Sequence, residues 1–176
     1  IQLNDKRDIL IKDGFIVSID KKIPKKSNYK IIDCKNSIIT NGFIDLHAHF
    51  REPGFEYKET LSTGSLSAFY GGFTRVCVMP NTEPPLDSPE SIRFIIEKAL
   101  NLPIQIFPIG AITKGQKGIE MAEIGEMIHA GAVAISDDGL PLQNGQIMRY
   151  AVEYAQKYNI PVINHAEDIH LRNNGV

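Results

Sequence analysis

The sequence predicts an α/β fold: a parallel β/α barrel of the TIM type, covering about the first five βα units, preceded by a small β module. Three observations support this prediction. Short apolar, β-rich runs recur roughly every 30 residues, amphipathic helical stretches separate them, and polar residues collect where the runs end. No glycine-rich phosphate-binding loop follows the first run, which argues against a doubly wound nucleotide fold.

The first 40 residues differ from the rest of the chain in their sequence pattern. Short β-rich runs are joined by the turn dipeptide Asp13-Gly14 and by a Lys/Pro/Ser-rich stretch. We therefore expect two domains, a β module over 1–40 that forms part of a small β-sandwich, and a partial barrel over 41–176. The strands predicted in the module cover residues 9–11, 15–19 and 30–33.

Five further runs form the predicted barrel sheet. Their spacing fits one βα unit each, and strands that alternate with helices form parallel sheets with right-handed crossovers. A closed barrel needs eight strands, so we predict that the chain is a fragment of a longer protein and is inactive alone. The predicted barrel strands cover residues 44–50, 74–79, 104–109, 132–136 and 161–164.

Helices are predicted from apolar residues at helical spacing. Ser88 followed by Pro89 predicts an N-cap and a first-turn proline, and Gly131 predicts a C-terminal cap. The predicted buried stripes are Ile92, Ile95, Ile96, Ala99 and Leu100; Met121, Ile124 and Ile128; and Met148, Ala151, Val152 and Ala155.

Composition excludes several classes of partner. The chain has 176 residues, 43% of them hydrophobic and 23% charged, with a formal net charge of -2. No basic stretch interleaved with aromatic residues predicts nucleic-acid binding, and no apolar run approaches the roughly 18 residues that span a bilayer. Cys34 and Cys77 are too few and too far apart for a disulfide framework, so we expect small buried hydrophobes in a cytoplasmic protein.

Histidines mark the predicted rim of the sheet. His47 and His49 are two residues apart on the first barrel strand, so both side chains point to one face, and Arg51 shares that face if the strand continues. His165 ends the fifth strand. An isolated His-x-His pair is more often structural, but its place at a strand end favours a divalent metal, with zinc the commonest match.

Acidic residues follow two of the strands. Only one of Asp137 and Asp138 can share the metal face, and the other is expected to cap the turn at Gly139. Glu167 and Asp168 could orient His165 or cap the next helix, and capping is the favoured interpretation.

Three motifs resemble those of one enzyme family. Residues 42–54 read GFIDLHAHFREPG, 79–82 read MPNT and 136–139 read SDDG. They resemble the dihydroorotases of the amidohydrolase superfamily, and the resemblance runs through essentially the whole chain. The HAHFREPG string is the most specific part, because hydantoinases and allantoinases share His-x-His but usually follow it with other residues.

The resemblance implies roles that spacing alone does not. His47 and His49 would bind the more buried zinc, His165 would bind a second one, and Asp138 would be the metal-associated carboxylate, where many superfamily members carry a carboxylated lysine. Whether one or two Zn²⁺ ions bind stays open. The main proton-shuttling aspartate is expected beyond Val176. The two residues that would hold the substrate carboxylate are Arg51 and Asn81.

The implied activity is the reversible, zinc-dependent hydrolysis of L-dihydroorotate to N-carbamoyl-L-aspartate in de novo pyrimidine biosynthesis. Besides the small-molecule substrate, the implied partners are further copies of the same chain, in a homo-oligomer, and an aspartate carbamoyltransferase, in a complex. Two alternatives remain: a hydantoinase-like or allantoinase-like hydrolase of another cyclic ureide, and a catalytically inactive dihydroorotase-like scaffold subunit. The presence of His47, His49 and His165 argues against the scaffold.

Overall fold

The computed structural model describes residues 5–35, 37–172 and 175. Backbone contacts divide the chain into two units, 1–40 and 41–176, which are treated separately below.

The first unit contains an antiparallel hairpin. Strand β1 (Asp8–Lys12) pairs with β2 (Phe15–Asp20) across a turn in which Asp13 and Gly14 have φ of 52° and 80°. Positive φ at both central residues belongs to the type I′ turn, which suits the twist of a hairpin. The predicted strand over 30–33 is wrong, because that segment pairs with no neighbouring strand in the described residues.

The second unit is built on a parallel five-stranded sheet whose spatial order follows the chain order. Because neighbouring strands are parallel, each connection carries the chain from the carboxyl end of one strand back to the amino end of the next, as in the β/α barrel that the sequence predicts. All five predicted strands are present, with shifts of one or two residues at their ends. They are β3 (Phe43–Ala48), β4 (Phe73–Val78), β5 (Gln105–Gly110), β6 (Ala134–Ser136) and β7 (Val162–Ile163).

Helices occupy the connections. Ser88 caps α2 as predicted, its hydroxyl accepting from the backbone N–H of Ser91, and Pro89 begins the helix. The prediction that Leu100 is buried is wrong, because α2 ends at Ala99 and the side chain of Leu100 is exposed. The helices are α1 (Leu61–Tyr70), α2 (Pro89–Ala99), α3 (Ile124–His129), α4 (Gly145–Tyr158) and α5 (Ile169–Arg172).

Two of the predicted stripes shift in the structure. In α4 the buried side chains are Ile147, Ala151 and Ala155, while Val152 is about half exposed, so the buried face is centred one residue earlier than predicted. Met121, which was predicted to share a helical stripe with Ile124 and Ile128, lies before α3, since that helix begins at Ile124.

One face of the sheet packs against helices, and the other face carries a smaller apolar cluster formed by the strands themselves. Val76 and Val78 of β4 belong to the main core, which also contains Ile92 and Ile95 of α2. A second, smaller cluster of Met79, Ile109 and Ala134 has Cys77 packed against it. Because β4 and β5 contribute apolar side chains to a cluster on each face, they read as continuous apolar runs.

The two cysteines lie in different surroundings. Cys77 is half buried, and this burial raises the pKa of its thiol. Cys34 is exposed, so its predicted burial is wrong; the segment around it forms no helix or strand. In the part of the chain that the structure describes, no helix combines the length and the apolar character that a membrane crossing requires.

Candidate metal centre

The carboxyl ends of three strands bring four polar side chains to one rim of the sheet. His47 lies in β3 and His49 directly after it, Asp138 follows β6, and His165 follows β7. Nε2 of His47 lies 3.4 Å from Oδ1 of Asp138, and Nε2 of His49 lies 3.4 Å from Oδ2. Nδ1 of His165 lies 3.6 Å from the same Oδ1. The Asp138 carboxylate is thus the common neighbour of three imidazoles.

These separations suit a shared cation better than direct hydrogen bonds. A hydrogen bond between nitrogen and oxygen is usually 2.7–3.2 Å long, whereas two ligands about 2.1 Å from a tetrahedral zinc ion lie about 3.4 Å apart. The ligand atoms of His47, His49 and Asp138 all lie within 4.8 Å of one another. Two imidazole nitrogens and a carboxylate form a donor set that fits Zn²⁺.

The ring of His49 is oriented by Asn81 in the loop after β4. Nδ1 of His49 lies 2.9 Å from Oδ1 of Asn81. With the amide oxygen accepting, Nδ1 carries the hydrogen and Nε2 keeps its lone pair on the side of Asp138. Hydrogen bonds of this kind commonly fix the tautomer and orientation of metal-binding histidines.

Asp137 does not cap the turn at Gly139, so that prediction is wrong. Its buried carboxylate instead accepts hydrogen bonds from the backbone N–H groups of Ile112 and Thr113, at 2.8 and 3.1 Å, and from the Thr113 hydroxyl. Burial raises the pKa of Asp137, and the hydrogen bonds from Thr113 and Ile112 oppose that shift. The tether fixes the end of β6 to the loop after β5, with Asp138 directed at the histidines.

Glu167 pairs with His165 rather than capping the last helix. Its Oε2 lies 3.0 Å from Nε2 of His165, and its Oε1 lies 2.7 Å from the guanidinium of Arg172. The hydrogen bond from His165 lowers the pKa of Glu167, and Arg172 acts in the same direction. Asp168 is the cap of α5, since its carboxylate accepts from the N–H groups of His170 and Leu171.

Arg51 does not share a strand face with the histidines, because β3 ends at Ala48 and Arg51 has a φ of 63°. The prediction from alternation required the strand to continue to Arg51, and that condition is not met. The side chain is partly exposed, and within the described residues its guanidinium has no ion-pair partner. Within the same residues, no hydrogen bond or ion pair joins it to His47 or His49.

The described residues do not include the predicted proton-shuttling aspartate. The sequence prediction puts that aspartate beyond Val176, and Val176 itself lies outside the described residues. Of the two predicted catalytic carboxylates, the structure therefore describes Asp138 alone, and the proton-shuttling aspartate stays a prediction.

Sequence reasoning missed one buried acidic residue beside the site. Glu52 is 5% exposed, and its carboxylate accepts from the N–H of Leu61 at 2.7 Å and forms an ion pair with Lys98 of α2. A glutamate between an arginine and a proline gives no periodic signal of burial, and its partners are 9 and 46 residues away along the chain.

Solved structures place the fold in a known class. The L-hydantoinase of Arthrobacter aurescens superimposes with a TM-score of 0.82 at 21% identity, covering 96% of this chain and 38% of that one. The parallel sheet and this likeness define a partial β/α barrel of the TIM type, as predicted.

Sequence comparison identifies the family within this fold. Residues 36–176 match the family described as Dihydro-orotase-like, and the chain belongs to that family. A dihydroorotase of Acetivibrio thermocellus is 48% identical over 170 residues, and one of Solibacter usitatus is 47% identical over 169. Each alignment covers 96% of this chain but only 40% and 39% of the relative, so the chain spans about two fifths of their length.

Proposed function

We propose that the full-length protein containing this chain is a dihydroorotase, which reversibly hydrolyses L-dihydroorotate to N-carbamoyl-L-aspartate. The observation that carries the proposal is the convergence of three imidazoles on the carboxylate of Asp138. The dihydroorotase relatives support the choice of substrate.

The metal ligands in this proposal are His47, His49 and Asp138, with His165 serving a second metal if two are bound. A bound Zn²⁺ would lower the pKa of water from about 15.7 to roughly 7 and polarise the carbonyl under attack. The protein's own contribution is preorganisation. Asn81 orients His49, Glu167 orients His165, and each partner leaves the other ring nitrogen directed towards Asp138.

Arg51 and Asn81 are proposed to bind the carboxylate of the substrate. A guanidinium grips a carboxylate through two parallel hydrogen bonds, and that of Arg51 is not engaged by another charge in the described residues. Asn81 uses its amide oxygen for His49, so its NH₂ group stays available as a donor to an anion. Each residue thereby supplies hydrogen-bond donors, as an anionic substrate requires.

No observation favours a hydantoinase-like activity, since the likeness to L-hydantoinase at 21% identity carries the fold alone. A scaffold without activity would have no use for oriented metal-binding histidines. The cytoplasmic location, the homo-oligomer, the complex with an aspartate carbamoyltransferase, the β-sandwich around residues 1–40 and the inactivity of the fragment stay predictions.

The activity is tested by assaying ring opening of L-dihydroorotate with full-length protein loaded with zinc. Asp138→Ala should lower kcat at least a thousandfold, because the carboxylate common to the cluster is lost. His129→Ala, which removes an exposed histidine in the last turn of α3, is the matched control and should leave kcat unchanged. Turnover of hydantoin but not of L-dihydroorotate by the wild type would overturn the proposed substrate.

A further inference from the structure

The loop after β3 places Arg51 between two buried neighbours. Phe50 lies in the main core, where its ring packs against Gly64 of α1 so closely that an added Cβ would stand 2.7 Å away. Glu52 is buried on the other side of Arg51 and contacts α1 and α2. Arg51 itself is the partly exposed residue between them.

The backbone at Arg51 is in an unfavourable conformation. The N–H of Glu52 donates to the carbonyl of Phe50 at 2.7 Å, which closes a three-residue γ-turn with Arg51 at its centre. A φ of 63° is uncommon for a residue with a side chain and persists only when the surrounding structure fixes it. Something other than Arg51 must therefore hold the turn.

Glu52, the residue after Arg51 in this turn, is tied to two helices. Its Oε2 accepts from the first N–H of α1, at Leu61, and its Oε1 pairs with the ammonium of Lys98 in the last turn of α2. A buried carboxylate with a charged partner and a backbone donor is held strongly, because leaving any member unpaired is costly. Lys98 is about half exposed, so removing its charge disturbs the core less than removing Glu52.

We infer that Glu52 is a positioning residue for Arg51: it anchors the turn from which the guanidinium reaches the substrate carboxylate. The inference rests on the proposed function for the identity of the substrate. The anchoring of the Arg51 turn by Glu52 does not depend on that function. The polar partners of the Glu52 carboxylate among the described residues are Leu61 and Lys98, and include none of the proposed metal ligands, so it acts through Arg51 and not through the metal centre.

The kinetic test compares Glu52→Gln with the wild-type full-length enzyme. The variant should raise KM for L-dihydroorotate about tenfold while kcat and zinc content change less than twofold, because the interaction lost is substrate binding. In an Arg51→Ala background the same substitution should have no further effect on KM. Equal effects of Glu52→Gln in both backgrounds, or a loss of zinc, would overturn the inference.

Two further variants keep the test decisive if Glu52→Gln fails to fold. Lys98→Gln should raise KM in the same way, and Lys98→Arg, which restores the charge, should recover most of the loss. Glu90→Gln on the exposed first turn of α2 is the matched control and should behave as wild type. An unchanged KM in Lys98→Gln counts against the inference.

A crystal structure of the full-length Lys98→Gln or Glu52→Gln protein separates this inference from the proposed function. Arg51 should leave the positive-φ region or move by more than about 1 Å, whatever the substrate proves to be. An Arg51 backbone superimposable on that of the wild type would contradict the inference even in an active dihydroorotase. An inactive wild type with a displaced Arg51 in the variant would instead refute only the function.

Discussion

Nδ1 of His49 lies 2.9 Å from Oδ1 of Asn81, while Nε2 of the same ring lies 3.4 Å from Oδ2 of Asp138. The two nitrogens of one imidazole thus face an amide on one side and the carboxylate of the candidate metal centre on the other. Asn81, which the family resemblance assigns to the substrate, also determines which nitrogen of His49 is available to a metal.

Asn81→Ala should weaken zinc binding by about 10- to 100-fold, because His49 loses the acceptor that fixes its tautomer and its ring orientation. Zinc affinity of the full-length protein is measured by competition with a chromogenic chelator. Asn101→Ala, in the exposed turn after α2, is a matched control with no expected effect. Wild-type zinc affinity in Asn81→Ala, with only KM raised, would show that Asn81 serves the substrate alone.

The five barrel strands, the capped helix α2 and the three strand-end histidines could be predicted because their signals are local. Apolar runs at 30-residue spacing and a Ser-Pro cap depend on neighbouring residues only. The alternation of side chains in a strand also predicted that His47 and His49 share a face. The rule does not extend to Arg51, since β3 ends at Ala48 and the chain turns at Arg51.

The role of Asp137 could not be predicted for a different reason. Asp-Asp-Gly reads as a turn, and the partners that bury Asp137 lie about 25 residues earlier, in the loop after β5. Only the parallel pairing of β5 with β6 brings the two segments together. Contacts between distant segments give no periodic signal, and the same holds for Glu52 and Lys98.

Asp137→Ala should destabilise the metal-free full-length protein by about 3 kcal/mol, because the N–H groups of Ile112 and Thr113 are left buried without an acceptor. Asp137→Asn keeps an acceptor oxygen of nearly the same shape and should cost less than about 1 kcal/mol. Urea denaturation gives both values. Equal unfolding free energies for the two variants would mean that the tether contributes no stability.

Gly54→Ala should lower the free energy of unfolding of the protein. It should also raise KM for L-dihydroorotate, because Gly54 lies in the loop that carries Arg51. Gly54 has a φ of 92°, and an added Cβ would stand 2.1 Å from the carbonyl oxygen of Glu83, so both strain and a clash with backbone follow. A cost of about 2 kcal/mol or more is expected from thermal or denaturant unfolding.

Gly145→Ala is the control for that experiment. Gly145 is the first residue of α4, its Cβ would meet nothing within 4 Å, and its φ is not positive. Alanine there should leave the unfolding free energy unchanged or raise it by up to about 1 kcal/mol. If Gly54→Ala were as stable as Gly145→Ala, the close contact between the loops after β3 and β4 would contribute nothing to the free energy of unfolding.

The most direct test of a metal centre at this rim is anomalous diffraction at the zinc absorption edge from crystals of the full-length protein. The geometry predicts a peak within about 2.0–2.2 Å of Nε2 of His47, Nε2 of His49 and a carboxylate oxygen of Asp138. A peak at other residues, or none with zinc in excess, would contradict the assignment of these three side chains as ligands.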